Sequence, residues 1–395
     1  MAKILILTAG YGEGHNSAAR ALQAAFNEQP GIEAELIDLF ALRAPRLNNI
    51  SRRGYINLIN TAPKIWSWIY RWLDQSSLVP HLFRALGSHR ELLAQLIKEK
   101  RPVALVSTYP VYPWLLNQLQ REGRVTCPQF TVVTDALTIN SLWYRARSDG
   151  WFVTDHDSAA FLRTKGLPEA KLHVSGFPVA LGFADRPSHW QPTEPSKESS
   201  FRFKVLFMIN SSRSSALKIA RALLQQSDWH ITFTAGRDER LQQELMEMAK
   251  SAPAHAEVLG WTNRIPELLM THHVVISKAG GATTQESINA LCPLLVSQIV
   301  PGQEEGNYEL IRRNEAGTLA ETSEEIVAAL QRAFAHDAAL WLHWRKNLRR
   351  IAQPAAARQI ATTVLKQTGQ VQSRPPEKKS ARPEKSRSEI STVSP

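Results

Sequence analysis

Two clusters of residues, far apart in the chain, carry side chains suited to chemistry. The first is Gly10-Tyr11-Gly12-Glu13-Gly14-His15. Glycines let a ligand approach the backbone. An imidazole beside a helix start is disfavoured as a cation, so His15 is a candidate general base near neutral pH. The second cluster runs from Ser277 to Asn307. It holds Lys278, the pair Gly280-Gly281, Thr283 and Glu286, then Gln303, Glu304 and Asn307. A helix beginning at the glycine pair offers free N–H groups to an anion. The amides and carboxylates accept from hydroxyl groups. A nucleotide sugar, anionic and rich in hydroxyls, meets both demands. Asp135 follows the apolar run Val132-Val133, where a carboxylate can orient a base or bind a hydroxyl; its plainer role is an Asx turn or helix cap.

Other chemistries lack their residues. A dinucleotide fingerprint needs G-x-G-x-x-G, whose third glycine would fall at His15 or Ser17. There is no G-x-x-x-x-G-K-[ST] loop for ATP and no G-x-S-x-G elbow for a serine hydrolase. Asp155-x-Asp157 reads as a cap for the helix beginning at Ser158, and no H-x-x-x-H or C-x-x-C spacing occurs, so no metal site is expected. Cys127 and Cys292 cannot build a disulfide framework and read as core thiols in a reducing compartment.

The elements that must position these groups alternate between strand and helix. Apolar runs at residues 2–8, 102–107, 128–134 and 149–154 read as buried parallel strands, with a helix through Phe26 capped by Asn16. Residues 187–202 are rich in Pro, Ser and charge, and read as a linker before a second series of strands that begins at residue 203. Helical spacing predicts one helix over 338–366, and residues 368–395 are polar, basic and disordered in expectation. The fold class is α/β with mostly parallel sheets. The division expected is residues 1–186, a linker at 187–202, a second domain at 203–340, a terminal helix at 341–367 crossing back, and a tail. A chain of 395 residues, 43% hydrophobic, has material for two cores. No apolar run approaches the ~18 residues of a bilayer span, and no signal peptide is read at Met1.

The formal net charge is +11. Part of it interleaves with aromatic residues in a stretch that holds Trp66, Trp68, Arg71 and Trp72. Rings and cations together suit a lipid interface with anionic head groups; the alternative is an insertion packed on the domain body. Nucleic-acid binding is not expected, because no recognition module is visible.

The motifs Thr8-Ala9-Gly10-Tyr11-Gly12-Glu13-Gly14-His15 and Lys278-Ala279-Gly280-Gly281 through Asn307 resemble those of the monogalactosyldiacylglycerol synthase and processive diacylglycerol glycosyltransferase family, with MurG a more distant relative. The resemblance spans roughly residues 3–365. It implies a GT-B fold, two Rossmann-like domains facing across a cleft, and an inverting, metal-independent transfer from a UDP-sugar to a lipid acceptor. It implies no cofactor, and a peripheral place on the cytoplasmic face of the membrane. By position, Glu286 matches the acid for the ribose hydroxyls. Gly280, Gly281 and Thr283 match the diphosphate turn, and Lys278 the lysine before it. Gln303 and Glu304 match the sugar-holding pair, with Asn307 closing the motif. His15 matches the acceptor-side histidine, with Asp135 as helper and Gly12 and Gly14 as its loop. Two departures concern the acceptor side. Asn140 stands where a histidine is frequent, and the loop after residue 209 has no glycine, leaving Asn210 and Arg213 to serve in its place. Alternatives on the same plan are a MurG-like N-acetylglucosaminyltransferase, a UDP-sugar epimerase and a non-catalytic membrane-binding paralogue.

Overall fold

The computed structural model describes residues 1–10, 12–43, 83, 85–195, 201–301 and 304–370. Tyr11, Trp66, Trp68, Arg71, Trp72, Gln303 and the tail beyond Gln370 lie outside the described residues. Two six-stranded sheets dominate. The first contains β1 (Ala2–Leu7), β2 (Ile32–Ile37), β3 (Ala104–Ser107), β4 (Gln129–Val132), β5 (Gly150–Val153) and β6 (Leu172–Val174), in the order β2-β1-β3-β4-β5-β6. The second contains β7 (Phe203–Met208), β8 (Trp229–Thr234), β9 (His255–Leu259), β10 (Val274–Lys278), β11 (Leu294–Gln298) and β12 (Gly317–Leu319), in the order β12-β11-β10-β7-β8-β9. All pairings are parallel. Parallel strands are covered on both faces, so Ile4 to Leu7 and Val274 to Ile276 are wholly buried without polar alternation.

In such sheets a crevice opens where the strand order reverses, beyond the carboxyl ends. In the first sheet β1 lies between β2 and β3, so the reversal falls between β1 and β3. In the second, β7 lies between β8 and β10, and the reversal falls between β7 and β10. The loop bearing His15 follows β1, and the loops bearing Asn210 and Lys278 follow β7 and β10.

The helix after β1 spans Glu13–Asn27 and buries Ala18, Ala19, Ala21, Leu22, Ala25 and Phe26. Its N-cap is Gly12, at φ 150°, a conformation that favours glycine. The helix therefore starts earlier than the Asn16 cap expected from sequence. Asn16 sits inside it and accepts from Thr8 Oγ1 at 3.1 Å, and His15 belongs to its first turn.

The single helix expected over 338–366 is two. Ser323–Ile351 bends at Ala335–Ala338, where His336, Asp337 and Ala338 take positive φ. A second helix, Ala356–Gln367, follows Pro354, which has no N–H and cannot continue a helix. This last helix returns to the first sheet. Ala357, Ile360, Ala361, Val364 and Leu365 pack among Ile4, Ile6 and Phe26. Arg358 ties it down with paired bonds to Glu28 at 2.7 Å and Asp185 at 2.6 Å, holding both carboxyls below their usual range.

The two backbone crossings between the sheets converge on one place, the carboxyl end of the helix Gly281–Ala290. Arg186, on the outgoing crossing, donates to Ala290 O at 2.5 Å and Asn289 O at 3.3 Å. On the return side Arg345 donates to Leu291 O at 3.3 Å, and the Gln353 N–H donates to Asn289 Oδ1 at 2.7 Å. Cations at a helix carboxyl end oppose its dipole favourably. Cys292 is buried beside these arginines, and burial pushes its thiol up to about 12, so it is an inert core thiol.

Candidate active site

One wall of the inter-sheet cleft is built by the first domain. The His15 Nδ1 lies 2.9 Å from Thr108 O and 2.9 Å from Thr134 Oγ1. A carbonyl oxygen only accepts, so Nδ1 carries the proton and the lone pair stays on Nε2. Burial lowers the imidazole from 6.5 to about 4, with the Thr108 carbonyl pulling the other way. The ring is thus neutral at physiological pH. Tyr109 meets it edge-on at 5.1 Å, and Trp143 lies 5.9 Å away. Asp135 Oδ2 accepts from Trp143 Nε1 at 2.8 Å. Asn140 caps the short turn that presents Trp143, its Oδ1 accepting from Leu142 N at 3.0 Å.

The opposite wall is the start of the helix Gly281–Ala290. Gly280 is its N-cap, without a side-chain cap, and the first ladder bond runs from Thr284 N to Gly280 O. The N–H groups of Gly281, Ala282 and Thr283 are thereby left outside the intrahelical ladder, a ready anion site. Around this turn the side chains interlock. Lys278 Nζ donates to Glu304 Oε1 at 2.6 Å, and Glu304 Oε2 accepts from Val300 N at 3.0 Å. Asn307 Nδ2 donates to Ala279 O at 2.9 Å. Asn210 bridges the ends of β7 and β10, donating to Ser277 Oγ at 2.7 Å and accepting from Lys278 N at 3.2 Å.

The two walls enclose a cavity of about 290 Å³. Its lining includes Gly12, Gly14, His15 and Asp135 on one side, and Asn210, Lys278, Gly280, Gly281, Thr283, Glu304 and Asn307 on the other. Sequence reasoning missed Glu13, Thr134 and Ala282, which also line it. Thr134 carried a signal: it precedes Asp135 just beyond the carboxyl end of β4, one strand over from the switch point. The fit between the walls is close. A Cβ on Gly14 would stand 3.8 Å from Ala282 N. A Cβ on Gly306 would stand 2.0 Å from Ala136 O, so backbone meets backbone there.

Two of the expected residues are placed elsewhere. Arg213 is not among the lining residues; its guanidinium forms a paired bridge to Glu244 at 3.1 Å. Its place in the first turn of the helix Arg213–Leu224 sets it beside the next helix, Glu239–Lys250, rather than at the glycine turn. Glu286 also lies outside the lining. Burial pushes its carboxyl up to about 7, with Arg20 pulling down and Glu13 pushing up, both on the helix of the first domain that packs over it. Among the described residues no group of three His, Cys, Asp or Glu side chains is placed to hold a metal, and no helix is long and apolar enough to cross a membrane.

Comparison with known proteins follows the same lines. Residues 15–179 match the family model described as monogalactosyldiacylglycerol (MGDG) synthase. A processive diacylglycerol beta-glucosyltransferase of Bacillus cereus (strain AH187) is 23% identical over 372 residues, 92% of this chain and 93% of that protein. MurG of Acinetobacter baumannii superposes with a TM-score of 0.60 at 13% identity, covering 93% of this chain and 100% of its own. The UDP-GlcNAc 2-epimerase of Neisseria meningitidis, bound to UDP-GlcNAc, gives 0.58 at 11% identity over 92% of this chain. The resemblance drawn from the motifs is borne out, and the fold is GT-B.

Proposed function

We propose that this chain, a GT-B protein similar along most of its length to processive diacylglycerol glucosyltransferases, transfers a hexose from a UDP-sugar to a diacylglycerol-type lipid. The observation that carries this reading is the shared cavity. It sets a neutral imidazole with a free Nε2 lone pair opposite a helix start with uncommitted N–H groups. The first suits a hydroxyl that must lose its proton; the second suits a leaving diphosphate.

In the transfer, the acceptor hydroxyl oxygen forms the new bond to the anomeric carbon while the bond from that carbon to UDP breaks. The hydroxyl proton passes to His15 Nε2. UDP departs with the electron pair, its charge offset by the N–H groups of Gly281 to Thr283 and by Lys278. That cation and helix start are the reason to propose a metal-independent step. Attack from the face opposite UDP gives inversion, and Asp135, which lines the same cavity, would order the acceptor. A carboxylate at Glu286 would bind the ribose hydroxyls once the first helix lifts from it, and Glu304 would meet the sugar hydroxyls. The stretch with Trp66, Trp68, Arg71 and Trp72 would hold the protein at an anionic cytoplasmic-face membrane, where its lipid acceptor resides.

The test is a panel of UDP-sugars with diacylglycerol vesicles, followed by mass spectrometry and the anomeric coupling constant of the product. Replacing His15 by Ala is expected to lower turnover by about 10²–10⁴ and leave UDP affinity intact. Turnover that survives this change would sink the base assignment. The epimerase plan shares this fold, and an isomerised UDP-sugar formed without any lipid would favour it instead.

A further inference from the structure

Thr134 touches both halves of the cleft. It follows β4 and is 5% exposed, so its hydroxyl is withdrawn from bulk solvent. That hydroxyl lies 2.9 Å from His15 Nδ1, the same nitrogen that Thr108 O engages at 2.9 Å. With the Nδ1 proton fixed toward the carbonyl, Thr134 Oγ1 is a second acceptor for one N–H. The carbonyl, which only accepts, selects the Nδ1–H tautomer, and both contacts are lost if the ring flips, so the hydroxyl holds the ring in the orientation in which that selection acts. The main chain of the same residue faces the other wall: Thr134 O is 3.8 Å from where a Cβ on Gly281 would stand. Its neighbour Asp135 is held by Trp143, whose ring also flanks His15.

We propose that Thr134 is a positioning residue for the transfer: its hydroxyl holds the His15 ring turned with Nδ1 on Thr108 O and Nε2 presented to the acceptor, and its main chain seats that imidazole against the start of the helix Gly281–Ala290. This rests on the reading of His15 as the base. The hydroxyl needs no contact with substrate, and it acts through the imidazole alone. Its loss leaves the cavity its shape but lets the ring turn and, once away from Thr108 O, exchange tautomers, so that Nε2 offers its lone pair in only part of the population.

The experiment compares Thr134→Val, which keeps the shape and removes the hydroxyl, with Thr134→Ser, which keeps the hydroxyl. The readouts are ¹⁵N signals of histidine-labelled full-length protein, turnover against pH, and UDP affinity by calorimetry. The valine variant is expected to show a larger Nε2–H population at His15 and about tenfold lower turnover. Its acid limb should move to lower pH, because an acceptor that favours the imidazolium is gone. UDP affinity should stay within about twofold, and serine should restore turnover. Unchanged His15 signals in the valine variant would overturn the proposal, as would equal impairment by valine and serine, which marks a packing effect. His15→Ala run alongside separates the two ideas. If it is inactive while Thr134→Val is normal, only the positioning role falls. If it is fully active, the base reading falls and takes the positioning role with it.

Discussion

Changing Gly306 to Ala tests whether the two domains must be keyed together for turnover. The added carbon would stand 2.0 Å from Ala136 O, 2.5 Å from Thr138 Oγ1 and 3.0 Å from Thr138 N. An ordinary contact is well above 3 Å, so the loops bearing Asp135 and Glu304 must part by roughly 1–1.5 Å. The obstacle is main chain, and no side-chain rotation relieves it. Overpacking of this kind costs about 1–3 kcal/mol. At about 1.4 kcal/mol per tenfold, the closed arrangement, and turnover with it, should fall about 5- to 150-fold. Gly306 lies in the first turn of the helix Glu305–Arg313, where Ala is the better residue by about 0.5–1 kcal/mol. The second domain should therefore melt no lower and bind UDP as before. Steady-state turnover on diacylglycerol vesicles, UDP calorimetry and a melting curve together read the outcome. Wild-type turnover would refute the keying argument. An equal loss of UDP affinity would show that the glycine serves the glycine turn alone.

Further outcomes follow from the same structure. UDP affinity should weaken as pH falls through about 7, because burial has raised Glu286 to about 7 and a protonated carboxyl gives up acceptor capacity; Glu286→Gln should flatten that dependence between pH 6 and 8, and calorimetry at three pH values decides. His15, His272 and His273 are held neutral by burial, at about 4, 3 and 4. The unfolded chain takes up those protons first, so stability should fall as pH drops from about 6.5 toward 4, measured by urea unfolding at stepped pH. Ending the chain at residue 352 removes buried Ile360, Val364 and Leu365 from the first domain. At about 1.5–3 kcal/mol per side chain this should abolish its cooperative melting while the second domain still binds UDP. Replacing Trp66, Trp68 and Trp72 together should reduce flotation with anionic liposomes and leave turnover on detergent-dispersed lipid within a few-fold, and unchanged flotation would place the membrane contact elsewhere.

The second cluster was the most legible part of the chain. Buried parallel strands leave continuous apolar runs, and glycines at their carboxyl ends suit a ligand, so the turn at Gly280 and Gly281 is legible in the sequence alone. The short strand Gly317–Leu319 left no such trace, being only three residues long at a sheet edge. Helix ends were read less well. The start at Glu13 depends on the backbone of Gly12, and the break near Pro354 interrupts a spacing that stays helical on both sides. Which side chains share the cavity is a question of three dimensions. Arg213 and Asn210 are neighbours in sequence, yet one turns to Glu244 and the other splices two loops. Glu286 stands on the expected helix, but the packing of the Glu13–Asn27 helix over it follows from how the two sheets meet. Thr134 went unread because a threonine at a strand end is commonplace until the histidine beside it is known.

The convergence of both backbone crossings on one helix end has a mechanical consequence. A single tether would leave the two halves free to swivel in every direction. Two tethers meeting at one place hold that place fixed in both halves, so that a swing of one half against the other pivots about it. That place is the carboxyl end of the helix Gly281–Ala290, clasped by Arg186, Arg345 and Gln353. Its other end, about 15 Å away at 1.5 Å per residue, is the tip of a lever. A rotation on the order of 10° carries that tip about 2.6 Å, which is the scale needed to part Gly14 from Ala282 and admit a ligand to the cavity between them.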